Sequence, residues 1–164
     1  MRKRIVAARG RTTLTVIGVS LLVASLSAVE SRGALYVGGT IPGLKDKSEG
    51  QFTQADDAIT FAPNAKGARP VDIPYASVVE LEYGQKAGRR VAVGVLISPL
   101  ALFSKKRNHY LTISYRDASG KDQAGVFELG KDVVRTTLKI LETRTGKPIQ
   151  FQDDEAKRAL GGGK

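Results

Sequence analysis

The chain has no cysteine, no tryptophan and a single histidine, His109. Without cysteine there is no disulfide scaffold, thiol nucleophile, Cys-ligated zinc or iron–sulfur cluster, and no thiol to carry the lipid of a bacterial lipoprotein. One imidazole cannot supply the two or more nitrogen ligands of a usual zinc-type site. Phosphate-binding and hydrolytic signatures are missing as well. Gly146-Lys147 is followed by Pro148 and has no upstream glycine, and no G-x-G-x-x-G, nucleophile elbow or H-E-x-x-H occurs. The expectation is no catalytic residue, no metal and no cofactor. What remains is 164 residues, 41% hydrophobic and 26% charged, which fits one packed domain with short appendages and is too apolar for wholesale disorder.

The formal charge of +10 is unevenly distributed. Arg2, Lys3, Arg4, Arg9 and Arg11 are followed by an uncharged run from Thr12 to Val29, the basic-then-apolar order of a secretory signal. Ser25, Ser27 and Ala28 are small enough for a signal peptidase, so residues 1–28 are expected to be a cleaved signal peptide. As an uncleaved hydrophobic helix, the eighteen uncharged residues would be about 27 Å long, enough to anchor the chain in a membrane. Either way the basic end stays in the cytoplasm and the domain is exported, periplasmic or extracellular, or tethered to the membrane. Residues 1–28 carry five cations and no acid, so they hold half of the net charge. Nucleic acid is accordingly not an expected partner.

From residue 29 to 151 short apolar runs alternate with Gly, Pro, Asp and Asn, the pattern of strands and turns. Strands are expected at 35–39, 51–54 and 58–62, the last with Ile59 and Phe61 on one face. In Val71 to Tyr83, Pro74 interrupts the ladder, and Val79, Leu81 and Tyr83 should point to the core with Glu80 and Glu82 to water. Leu111, Ile113 and Tyr115 alternate again, Asp117 to Gly120 turn, and Phe127 and Leu129 return inward, which makes a hairpin. Val134, Leu138 and Leu141 mark a helix over 131–145, stopped by Gly146 and Pro148. Residues 152–164 read as a flexible charged and Gly-rich tail, with Asp153, Asp154 and Glu155 as solubilisers. The fold class is therefore mainly β with one C-terminal α-helix: a small antiparallel β-barrel of about seven strands capped by the helix.

Ile73-Pro74-Tyr75-Ala76-Ser77-Val78-Val79-Glu80-Leu81 resembles the I-P-y-x-x-I-x-x-I strand of pleckstrin-homology-like (PH-like) and GRAM-like domains, and the late hairpin and closing helix follow their order. The chain thus resembles a bacterial exported protein with such a domain over roughly residues 35–151. The resemblance implies a binding or scaffolding module rather than a catalyst, and leaves its ligand open. The phosphoinositide site of such domains does not carry over, because its nearest match, Lys45 and Lys47, is diluted by Asp46 and Glu49.

The most unusual internal stretch is Val91 to Phe103, apolar and bracketed by Arg89-Arg90 and Lys105-Lys106-Arg107. Gly94 and Pro99 interrupt it, and thirteen helical residues would reach only about 20 Å, short of a membrane span. It can supply a core strand and a cap made by Leu100, Leu102 and Phe103. Alternatively, that apolar loop dips into a membrane surface while Arg89, Arg90, Lys105, Lys106 and Arg107 meet lipid phosphates. The function expected is an exported, non-enzymatic binding or scaffolding module for an envelope protein or the membrane surface. The alternative is a cell-envelope enzyme using Glu80 and Glu82, two residues apart on a strand and so about 7 Å apart. His109 should be a hydrogen-bonded residue at a strand end, since no nucleophile motif partners it.

Overall fold

A computed structural model describes residues 29–86 and 108–161. Its elements run β1 (Val29–Gly39), β2 (Ser48–Gln54), β3 (Ala58–Pro63), β4 (Val71–Pro74), a 3-10 turn (Tyr75–Ser77), β5 (Val78–Gly84), β6 (His109–Arg116), β7 (Asp122–Leu129), α1 (Val134–Thr145), β8 (Ile149–Phe151) and α2 (Asp154–Ala159). All eight strands belong to one sheet, in the order β4-β3-β2-β1-β7-β6-β5-β8, curled into a half-barrel. Neighbours are antiparallel except β5 and β8, which run parallel. The mainly β architecture with a C-terminal helix agrees with expectation, with one strand more. The expected N-terminal hydrophobic helix lies outside the described residues. Among the described residues, no helix is long and apolar enough to cross a membrane.

Alternation along the strands loads the concave face. Phe52, Ile59, Phe61, Leu111, Ile113, Tyr115 and Leu129 all point into one core, which α1 closes with Val134, Leu138 and Leu141. Phe127 is fully buried at its centre, with ring centroids 5.3 Å from Phe52, 5.4 Å from Phe61 and 5.5 Å from Tyr36. Tilted and edge-on contacts of this kind add to the burial of each ring. The loop after β1 folds back so that Ile41 joins the same core.

Three expectations change. The pairing of β5 with β6 slips between Val78 and Glu80, so Val79 bulges out and is 51% exposed while Val78 takes its place inside. An extra residue in one strand resets the two-residue period, and simple alternation therefore misassigned Val79. Residues 131–133 form a turn, and α1 begins at Val134. Its C-terminal cap is Gly146 at φ 66°, a left-handed conformation that glycine adopts without cost, and the glycine N–H donates to the Glu142 carbonyl. Finally, residues 149–160 are held by packing: Ile149 to Phe151 add a strand to the edge of β5, and α2 buries Ala156 completely. Asp153 caps that helix by accepting from the Ala156 N–H at 2.8 Å, rather than merely solubilising a tail.

Candidate functional site

Among the described residues, an apolar groove of about 310 Å³ lies between α1, β8 and the end of α2. Arg135, Leu138, Lys139 and Glu142 line it from α1 at i, i+3, i+4 and i+7, the spacing that places them on one helix face. Ile149 and Phe151 enter from β8 two residues apart, on the same side of the strand, and Leu160 closes the far end. Lys139 Nζ lies 3.3 Å from a Glu142 carboxylate oxygen, an exposed pair that steers more than it stabilises. The floor is apolar and the rim charged.

Phe151 joins this groove to the core. Its ring stands edge-on to Tyr83, 6.1 Å away at 78°, and Tyr83 is wholly buried. The Tyr83 hydroxyl lies 2.6 Å from His109 Nδ1 and the two rings stack at 5.9 Å. Burial pushes the Tyr83 phenol up to about 12, with Arg135 opposing the shift. His109 is lowered by burial and then by Lys131, which favours the neutral imidazole, and its Nδ1 shares a hydrogen bond with the hydroxyl. His109 is thus the hydrogen-bonded strand-end residue that its isolation in the sequence suggested. Gln152 clamps β8 in place, its N–H donating to the Tyr83 carbonyl at 2.9 Å and its Nε2 to the Lys86 carbonyl at 3.2 Å. Its side chain covers Gly84 so closely that a Cβ there would meet Gln152 Oε1 at 2.5 Å.

The sequence-derived contact residues Arg89, Arg90, Lys105, Lys106 and Arg107, and the apolar Leu100, Leu102 and Phe103, lie outside the described residues. Glu80 and Glu82 occupy the convex side of β5, half-buried, opposite Ser114 and Thr112 of β6. Neither lines the groove. Lys45 and Lys47 are exposed on the loop after β1. A second cavity, of about 320 Å³, runs between β1, β2 and β7 and is polar, with Glu49, Gln51, Asn64 and Glu128 on its walls. Apart from Leu138, the groove residues had escaped the sequence reading because they sit in a charged stretch. The available signals were faint: the Ile149/Phe151 alternation after Pro148, and Ala156 and Leu160 one helical turn apart.

No protein-family model and no curated protein matches this chain. Among solved structures, a chain described as "Structure of the Spt16D Pob3N heterodimer" is similar with a TM-score of 0.49 and 12% sequence identity, over 77% of this chain and 55% of that one. This chain therefore spans about half the length of that one.

Proposed function

We propose that this chain is a non-enzymatic binding or scaffolding module, a PH-like half-barrel that docks a short apolar segment of a protein partner in the groove between α1, β8 and α2. The observation that carries this reading is Phe151. Its ring packs against buried Tyr83 on one side, yet it is 39% exposed at the mouth of an apolar groove. A large apolar side chain held in place by the core and offered to solvent beside an apolar cleft is the usual form of an interface anchor. Arg135 and Lys139 at the rim would orient the partner more than bind it.

A photo-crosslinking phenylalanine analogue at position 151 tests this, with the same analogue at Thr60, on β3, as the control. In the native host, covalent adducts are expected from position 151 and not from position 60. Adducts from both positions, or from neither, would sink the reading. The module is proposed to work outside the cytoplasm, on the strength of the basic-then-apolar pattern of residues 1–28. Fractionation is expected to recover a product beginning near residue 29 or a membrane-tethered chain. Full-length soluble chain in the cytoplasm would overturn the export.

A further inference from the structure

Both faces of the central sheet are covered, and the described helices account for only one. Alternation sends Leu111, Ile113 and Phe127 into the core and therefore Thr112, Ser114 and Val126 to the convex side, where Thr112 pairs with Val126 and Ser114 with Ala124. On that convex side Val37, Tyr110, Thr112, Ser114, Ala124 and Val126 are each no more than 9% exposed. An uncovered sheet face does not hide its side chains to this degree. Yet α1 and α2 give Val134, Leu138, Leu141 and Ala156 to the main core, while Val37, Tyr110 and Val126 form a separate cluster with Leu35.

We infer that this convex face of β1, β7 and β6 is the docking surface for the chain's own apolar stretch, residues 91–103. The connection that contains it leaves β5 after Lys86 and enters β6 at His109. Gly84 and Tyr110 are opposite one another in the β5–β6 ladder, so two to five residues would normally suffice to join these strands, and residues 87–107 far exceed that. Both ends of the connection start beside β6, one of the three strands of the face. Thirteen residues reach up to about 43 Å when extended, against about 10 Å across three strands. The stretch is chemically matched to its target: Val91 to Phe103 contains no charge and only Ser98 as a polar side chain. The five flanking cations lie outside it. The other long apolar stretch, from Thr12 to Val29, is the one that export would remove, leaving this face open to water.

Because the chain contains no cysteine, introduced thiols report on single positions. Ser114→Cys places one in the middle of the face. In the otherwise intact chain its maleimide labelling is expected to be slower, by roughly tenfold or more, than in a variant whose residues 91–103 are replaced by a Gly/Ser linker of equal length. Should the linker variant fail to fold, the intact chain decides. Ser114→Cys combined in turn with Val93→Cys, Leu96→Cys and Leu100→Cys is expected to give an intramolecular disulfide from at least one pair on mild oxidation. Equal labelling rates overturn the assignment. So does a disulfide formed only with a cysteine at Leu21 or Leu22, protection lost on dilution as for a second copy, or protection seen only with anionic vesicles.

Discussion

The guanidinium of Arg144 lies over the ring of Tyr75, 5.5 Å from its centroid, and both side chains donate to one acceptor, the carbonyl oxygen of Ala55. This ties the end of α1 to the β2–β3 turn and to the 3-10 turn before β5, three segments far apart in sequence. Arg144 also reaches Asp56, at 3.5 Å. Tyr75 is raised by burial, with the nearby Arg144 charge opposing the shift.

Arg144→Ala should therefore destabilise the fold by about 2 kcal/mol, combining a cation–π contact with a hydrogen bond from a charged donor. Arg144→Lys should recover less than half, because an ammonium cannot lie flat on the ring and also reach the carbonyl in the same geometry. Urea unfolding of these variants and of Tyr75→Leu, taken as a double-mutant cycle, measures the coupling; additive losses would contradict it.

The burial of His109, with the Lys131 charge nearby, makes stability depend on pH. Since the folded-state value is lowered from 6.5, the unfolded chain binds more protons as the pH falls below neutrality. The contribution is complete above 6.5 and declines as the pH drops toward the folded value. The melting temperature should fall between about pH 7.5 and about pH 5.5, and His109→Gln should flatten that part of the profile. An identical slope in the variant would exclude His109 as the titrating group.

Asp117, in the β6–β7 turn, acts in the same direction at lower pH. Hydrogen bonds from the Ser119 hydroxyl, the Gln123 amide and the Lys121 backbone hold its carboxyl at about 2, below the usual 3.8. Its contribution is present above 3.8 and is lost as the pH falls toward 2. Asp117→Ala should lower the melting temperature at neutral pH, and the difference from the parent should shrink in acid. The carboxyl carbon shift, followed by NMR, should titrate well below that of a free aspartate.

Two substitutions test the core. Phe127→Ala removes the ring shared by Tyr36, Phe52 and Phe61 and should cost about 3–5 kcal/mol in denaturant unfolding. Gly39→Ala should also destabilise, because φ is 148° there and a Cβ would run into the Ala124 carbonyl oxygen, a backbone atom that cannot move aside. A loss no larger than that of an exposed substitution would show that the pairing of β1 with β7 can relax there.

Much of this was legible before any coordinates. Leu111, Ile113, Tyr115, Phe127 and Leu129 declare their faces by a period of two, and Val134, Leu138 and Leu141 by a helical one, because each element buries a single side. Val79 was misread because a bulge is invisible to a periodic pattern. Ile149 to Phe151 and α2 were missed because three residues of strand and six of helix carry too little local preference to hold their shape alone. They are held by Tyr83, Gln152 and the buried Ala156. The groove is built from these same segments, which is why it was unreadable.

The amino-acid order alone determined that this is one mainly β domain closed by a helix, without thiol or multi-histidine chemistry, and that half of its net charge sits in residues 1–28. Composition and local periodicity suffice for such statements because each residue contributes to them independently. Tertiary structure decided what depends on residues distant in sequence meeting: the parallel addition of β8 to β5, the exposure of Phe151 over Tyr83, the His109–Tyr83 pairing and the covered convex face. None of these has a local signature, since each exists only once the chain has closed loops whose ends no short-range preference can bring together.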